Sequence, residues 1–317
     1  MTGVWAGVDV GGTKTAVVLS AAPPEILCRE EFPTLPAEGP GRAIDLMVRA
    51  IHESLARHGF DGKALKGIGV SCGGPLDSQT GIVQAPPNLP TWVDVPITRI
   101  LGGEFGAPCG LENDANAGAV AENRYGAGRG TRNMVFLTMG TGLGAGIICD
   151  GRLYRGTCDA AGEIGHVRLT RDGPVGYHKA GSVEGWTSGG GLAQVAAKAV
   201  AEARARGRKT LLDAEGSITA RDVGEAAKAG DRLARRLIRD TGRRLGQTLA
   251  ILIDILNPER IVIGGLAMRL GDDLWKPAHE VLEREALPAS AKACQIVPAS
   301  LGEKIGDLAA LCVAEGI

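Results

Sequence analysis

The sequence predicts a mixed α/β protein made of two related halves, and three observations predict it. Short β-branched strands alternate with stretches of helical periodicity. A strand–glycine turn–strand unit near the amino terminus recurs about 130 residues later, the mark of a duplicated architecture. The length, 317 residues, suits two domains of about 150 residues each, which bury their cores without disulfide or metal staples.

The elements follow in order. Val4 to Val10 alternates and is β-branched, Gly11-Gly12-Thr13 is a turn, and Thr15 to Leu19 returns as the second strand of a hairpin. Ile44, Val48, Ile51 and Leu55 repeat at helical spacing, which predicts an amphipathic helix over Arg42–His58. The apolar run Ile68-Gly69-Val70 ends in the turn Gly73-Gly74-Pro75. Ala115–Tyr125 is an Ala-rich helix between the halves. The hairpin pattern then restarts, with strands Met134–Thr138 and Gly144–Ile148 around Gly140-Thr141-Gly142. Leu233, Leu237, Leu245, Leu249, Leu252 and Leu256 lie along one face of a long helix, which Asn257-Pro258 stops. Strand Ile261-Val262-Ile263 follows and runs into Gly264-Gly265. Leu301–Glu315 is a final helix, expected to pack back on the first half.

Composition narrows the function. Lys and Arg total 35 against 36 Asp and Glu, a net charge of -1, so there is no electrostatic footprint for nucleic acid or an anionic membrane. No run approaches the ~18 apolar residues of a membrane helix. The amino terminus lacks a basic segment followed by an apolar one. The seven cysteines form no C-x2-C pair and read as reduced thiols, which predicts a cytoplasmic protein. Glycine is the outlier: 48 residues, about twice the usual share of roughly 7%, beside only eleven aromatics. Such a chain relies on tight turns and close backbone approaches.

Three glycine turns directly follow strands: Asp9-Val10-Gly11-Gly12-Thr13, Met139-Gly140-Thr141-Gly142 and Gly264-Gly265. Glycine there lets backbone N–H groups come close to an anion, and such nests bind phosphate. Neither the Walker lysine motif nor the Rossmann G-x-G-x-x-G is present.

Asp9-Val10-Gly11-Gly12-Thr13-Lys14, Gly140-Thr141-Gly142-Leu143-Gly144 and Ala161-Gly162-Glu163-Ile164-Gly165-His166 together resemble the ROK family (repressor, open reading frame, kinase) over nearly the whole chain. The resemblance implies an actin-like ATPase (ribonuclease H-like) fold, duplicated, with two domains and a central cleft that closes on the sugar. Residues 1–117 with 301–317 would form the sugar and phosphate domain, and 118–300 the nucleotide-binding domain. It further implies ATP-dependent phosphorylation of a hexose with Mg2+, and a homodimer as the usual minimum assembly.

The residues can be assigned on that basis. Gly11, Gly12, Thr13, Gly140, Thr141, Gly264 and Gly265 would bind ATP. Asp9, at a strand end beside the first turn, would hold Mg2+ through water, although an aspartate there also serves as a turn-stabilising residue. In Leu111-Glu112-Asn113-Asp114-Ala115-Asn116, either Asn113 or Asp114 suits the N-cap of the following helix. The matching pair in ROK kinases binds the sugar and supplies the base, which makes Asn113 a sugar ligand and Asp114 the general base, ionised under the helix dipole. Glu163, His166 and Glu184 offer groups that read hydroxyls, next to Gly142. Gly74 and Asn88 would line the opposite wall.

The sequence departs from the family at one place. Most members hold a structural zinc with a histidine and three cysteines, and those cysteines fall here on Val175, Tyr177 and Ser182. Only His166 and His178 remain where zinc needs about four N/S ligands, so no zinc is expected. Tyr177, Trp186 and His178 are the residues left to hold that loop. The segment Pro87-Asn88-Leu89-Pro90 with Trp92 resembles the glucokinases of the family, making glucose the first choice. N-acetylglucosamine, N-acetylmannosamine, mannose and fructose stay open, as does polyphosphate as donor. A sugar-responsive repressor would need roughly 60–80 residues of DNA-binding helices, and eight residues precede Asp9. A non-catalytic sugar-binding regulator would be expected to lose Asp114 or a phosphate turn, and all are present.

Overall fold

The computed structural model describes residues 3–212 and 216–316. The chain forms two compact units, one of Met1–Arg132, Gly146–Ala161 and Ser300–Ile317, the other of Asn133–Ala145 and Gly162–Ala299.

The first unit is built on a five-stranded open sheet ordered Cys28–Pro33, Lys14–Ser20, Val4–Val10, Leu65–Cys72, Cys109–Asn113. The first three strands are antiparallel, through the expected glycine hairpin. The last two run parallel to Val4–Val10. Because side chains alternate across a strand, Val4, Ala6, Val8 and Val10 share one face, where they join Met47, Ile51 and Leu55 of the helix Pro40–Arg57 in the core. Gly7, Gly67, Gly69 and Gly110 present a flat backbone to the helix Ile305–Ala314. A Cβ on Gly69 would lie 2.1 Å from the Ala310 carbonyl oxygen, so that helix sits closer to the sheet than any side chain allows. The carboxyl-terminal helix therefore packs on the first half as expected, after a 3-10 turn over Gly302–Lys304.

The second sheet repeats the order: Arg152–Leu153, Leu143–Cys149, Met134–Met139, Arg260–Gly265, Gln295–Pro298. Arg260–Gly265 runs parallel to both of its neighbours. The chain re-enters the first unit at Gly146, inside the strand Leu143–Cys149. In the second unit the helix Arg232–Leu256 starts at the Asp231 cap and stops at Asn257, whose φ of 44° ends the helical run before Pro258. It packs on the helix Asp272–Glu285, with Gly242 and Gly246 facing the carbonyls of Leu274 and Ala278. Leu237, Leu245, Leu249 and Ile253 are buried on the long helix, as are Leu274, Ala278 and Val281 on its partner. Among the described residues no helix is long and apolar enough to cross a membrane.

Candidate active site

In the first unit the strand end and the turn bring several predicted residues together. Gly11 N–H donates to the Lys14 carbonyl at 3.0 Å and closes the turn. The Gly11 carbonyl accepts from Thr34 Oγ1 at 2.7 Å, which pins the turn to the end of the third strand. A Cβ on Gly12 would come 2.8 Å from Asn88 Cβ. One on Gly74 would come 3.3 Å from Asn113 Nδ2. Gly12, Gly74, Asn88 and Asn113 thus form one cluster, to which Gly73 belongs by its contact with Asn88.

Asn113 is the N-cap of the helix Asp114–Tyr125, its Oδ1 accepting from Ala115 N–H at 3.0 Å and Asn116 N–H at 3.3 Å. Capping uses the amide oxygen and leaves the Nδ2 donor towards Gly74. Asp114 is reached by solvent but densely surrounded by protein, and its Oδ1 accepts from Ala115 N–H at 2.8 Å. A helix start on its own favours the ionised form. Here the surrounding protein desolvates the carboxylate and raises its pKa, and the Ala115 N–H opposes that only in part.

Asp9 lies against the start of the helix Ile305–Ala314, its Oδ2 2.1 Å from where a Cβ on Gly306 would stand. Burial raises its carboxyl pKa to about 7, with the charges of Asp114 and Asp307 adding to the shift and Arg29 and Lys14 opposing it. Asp307 accepts from Arg29 Nε at 2.9 and 3.2 Å. Gly306, Asp307 and Arg29 are parts of this setting that the sequence reading did not single out.

In the second unit Glu184 is seated among glycines. It is the second residue of the short helix Val183–Thr187, capped by Ser182, and its Oε2 accepts from Leu143 N–H at 3.0 Å. A Cβ on Gly142 would approach that oxygen to 2.7 Å, so the glycine leaves room for the carboxylate. Glu163 and His166 are exposed on one 3-10 turn, Glu163–His166. The His166 ring meets Tyr177 edge-on at 6.1 Å, and its carbonyl accepts from Lys179 Nζ at 2.8 Å. The loop that carries Val175, Tyr177 and Ser182 is held by side-chain contacts. Trp186 Nε1 donates to Thr170 Oγ1 at 2.7 Å, with Arg244 stacked over the indole at 4.9 Å. The Gln194 side chain pairs with the backbone of Val175.

The second unit also holds a cavity of about 760 Å³, within the general range of small-molecule sites. Gly140, Thr141 and Gly265 line it, as do Gly189, Gly190 and Arg221. Gly189 and Gly190 N–H donate to the carbonyls of Gly140 and Thr141 at 2.8 and 2.9 Å, docking the helix Gly189–Ala205 on the turn. Gly264 is buried against Phe136 and Ala299 and does not line the cavity. Sequence reasoning missed the wall formed by Gly189 and Gly190, and the run Ser188-Gly189-Gly190-Gly191, a serine cap before glycines, is the signal that could have found it.

A model of the ROK family matches residues 5–316. The chain is 35% identical over 304 residues to a glucokinase of Halalkalibacterium halodurans, covering 95% of this chain and 92% of that one. It is 30% identical over 284 residues to a xylose repressor of Caldicellulosiruptor bescii, covering 89% and 71% respectively. A solved structure of a ROK family glucokinase from Streptomyces griseus, in complex with glucose and AMPPNP, aligns with a TM-score of 0.78 at 31% identity over 99% of both chains. Fold, cavity and likenesses define the class, an ATP-dependent sugar kinase on the actin-like ATPase fold. The chain belongs to the ROK family.

Proposed function

We propose that the protein transfers the γ-phosphoryl group of ATP to a hydroxyl of glucose, giving glucose 6-phosphate. The observation that carries this reading is the Asn113–Asp114 junction. Its cap uses the amide oxygen of Asn113, leaving a donor for a sugar hydroxyl, and mounts beside it a carboxylate of raised pKa. A carboxylate shifted towards the working pH is the better proton acceptor. The 35% identity to a glucokinase supports glucose as the acceptor.

Asp114 takes the proton of the attacking hydroxyl, and Asn113 orients the sugar with Gly74 and Asn88. Glu163, His166 and Glu184 read further hydroxyls. Glu184 is fixed for that task by its bond from Leu143 N–H. Gly140, Thr141 and Gly265 serve the nucleotide, with Gly264 buried behind them, and Gly11, Gly12 and Thr13 the phosphates. Among the described residues no group of three or more His, Cys, Asp or Glu is arranged to hold a metal ion. Mg2+ would therefore ride on the phosphates, as it commonly does, and meet Asp9 through water. A cation there fits Asp9, whose charge is opposed by Asp114 and Asp307. Bound Mg2+ supplies charge neutralisation for the phosphates.

The test is ADP release with Mg-ATP across glucose, mannose, fructose, N-acetylglucosamine and N-acetylmannosamine, with polyphosphate as a second donor. Glucose is expected to give the highest kcat/KM with ATP. A clear preference for another sugar would reassign the acceptor, and silence with every sugar and both donors would overturn the kinase reading.

A further inference from the structure

We infer that Glu112 and Arg155 are a positioning pair for the Asn113–Asp114 junction, an inference that rests on Asp114 being the base. Glu112 stands next to last in its strand, immediately before that junction, and it is 1% exposed. Its Oε1 accepts from Asn113 N–H at 2.9 Å and from Asn116 Nδ2 at 3.0 Å. One carboxylate oxygen therefore grips the chain one residue before Asp114 and two residues after it. The buried Oδ1 of Asn116 has no hydrogen-bond partner, so the bond to Glu112 is what orients that amide.

The other oxygen, Oε2, accepts from Arg155 Nε at 2.7 Å. Arg155 arrives from a distant part of the sequence, just after the short strand Arg152–Leu153. Its backbone is fixed as well: Ala161 N–H donates to the Arg155 carbonyl at 3.0 Å and closes the loop. Within that loop Asp159 accepts from Ser78 N–H and Oγ at 2.8 and 2.9 Å. The arginine is thus delivered from a loop tied down at two points, and it neutralises a carboxylate that is otherwise shut away from water.

A buried charge whose partner is removed is costly, and the structure relieves it by moving the charge towards solvent. Moving Glu112 releases Asn113 N–H and the Asn116 amide together, which turns the junction that aims Asp114. The loss falls on the chemical step, since misplacement of a catalytic group by about 1 Å costs about 10²-fold in rate. A pair that served only to stabilise the fold would lower the melting temperature and leave the turnover of the folded enzyme unchanged.

The test compares the full-length wild type with Arg155→Met, Glu112→Gln, the double variant and Asp114→Asn, each assayed for kcat and for KM of both substrates. Arg155→Met is expected to lose about 10²-fold in kcat with each KM within about threefold. The double variant removes the unpaired charge, while the amide oxygen introduced by Glu112→Gln still accepts from Asn113 N–H. It is expected to regain at least about tenfold of that loss. Arg155→Lys, which keeps the charge, is expected to fall between wild type and Arg155→Met, and it carries the test if Arg155→Met does not fold. Wild-type kcat in the arginine variants, or a deficit confined to KM, with Asp114→Asn inactive, overturns the pair and leaves the base assignment standing. Near-normal turnover of Asp114→Asn overturns the base assignment, and the pair falls with it.

Discussion

Asp9 shows how one carboxylate beside the first glycine turn couples pH to stability. Its pKa is about 7 in the folded chain against an ordinary value of 3.8, so folding favours the protonated form. The stabilisation is fully present below pH 3.8 and is lost as the pH rises through 7. Without nucleotide or metal, Asp9→Asn should therefore melt several degrees above wild type at pH 8, the gap closing towards pH 4.5. Scanning calorimetry at both pH values checks this; equal or lower melting of the variant at pH 8 would contradict it. The aspartate and its turn were visible in the sequence, as were Asn113 and Asp114. The charge environment was not. Arg29 and Asp307, which help to set it, are 278 positions apart and meet only through the fold. The raised pKa of Asp114 was hidden for the same reason, because desolvation depends on neighbours that local sequence does not name.

At the scale of elements, glycine explains how strands and helices approach. The helix Ile305–Ala314 lies on a strip of sheet glycines, and Gly69 leaves no room for even a methyl group beside the Ala310 carbonyl. Gly69→Ala must lift the helix, and overpacking of this kind costs about 1–3 kcal/mol. At about 2–4 °C per kcal/mol, the melting temperature should fall by several degrees. An unchanged melting temperature would show that the helix yields freely. Both glycine hairpins, the helix Pro40–Arg57 and the long helix ending at Asn257 were legible, since period and punctuation agreed there. The edge strand Cys28–Pro33 was not, because charged residues occupy much of it. Helix Gly189–Ala205 opens with three glycines, poor helix formers, and then runs in alanine, which carries little periodic signal. Helix Asp272–Glu285 contains Pro277, a residue that argues against a helix interior.

For the whole molecule, the repeated sheet order confirms the duplication inferred from two similar hairpins. It also places the glycine turns at matching strand ends in each repeat. The net charge of -1 gives the chain no overall field with which to gather a polyanion, and the basic groups at the second unit's cavity are local ones, Arg221, Lys228 and Arg269. On the proposed reading, the first unit presents a base at the helix start Asn113–Asp114 of a working sugar kinase. The most direct measurement is the turnover of Asp114→Asn with saturating Mg-ATP and glucose, alongside calorimetric titration of the nucleotide. A loss of about 10²–10⁴-fold is expected, the usual share of a general base, with nucleotide affinity nearly unchanged. Near-normal turnover of a folded, nucleotide-binding variant would contradict it.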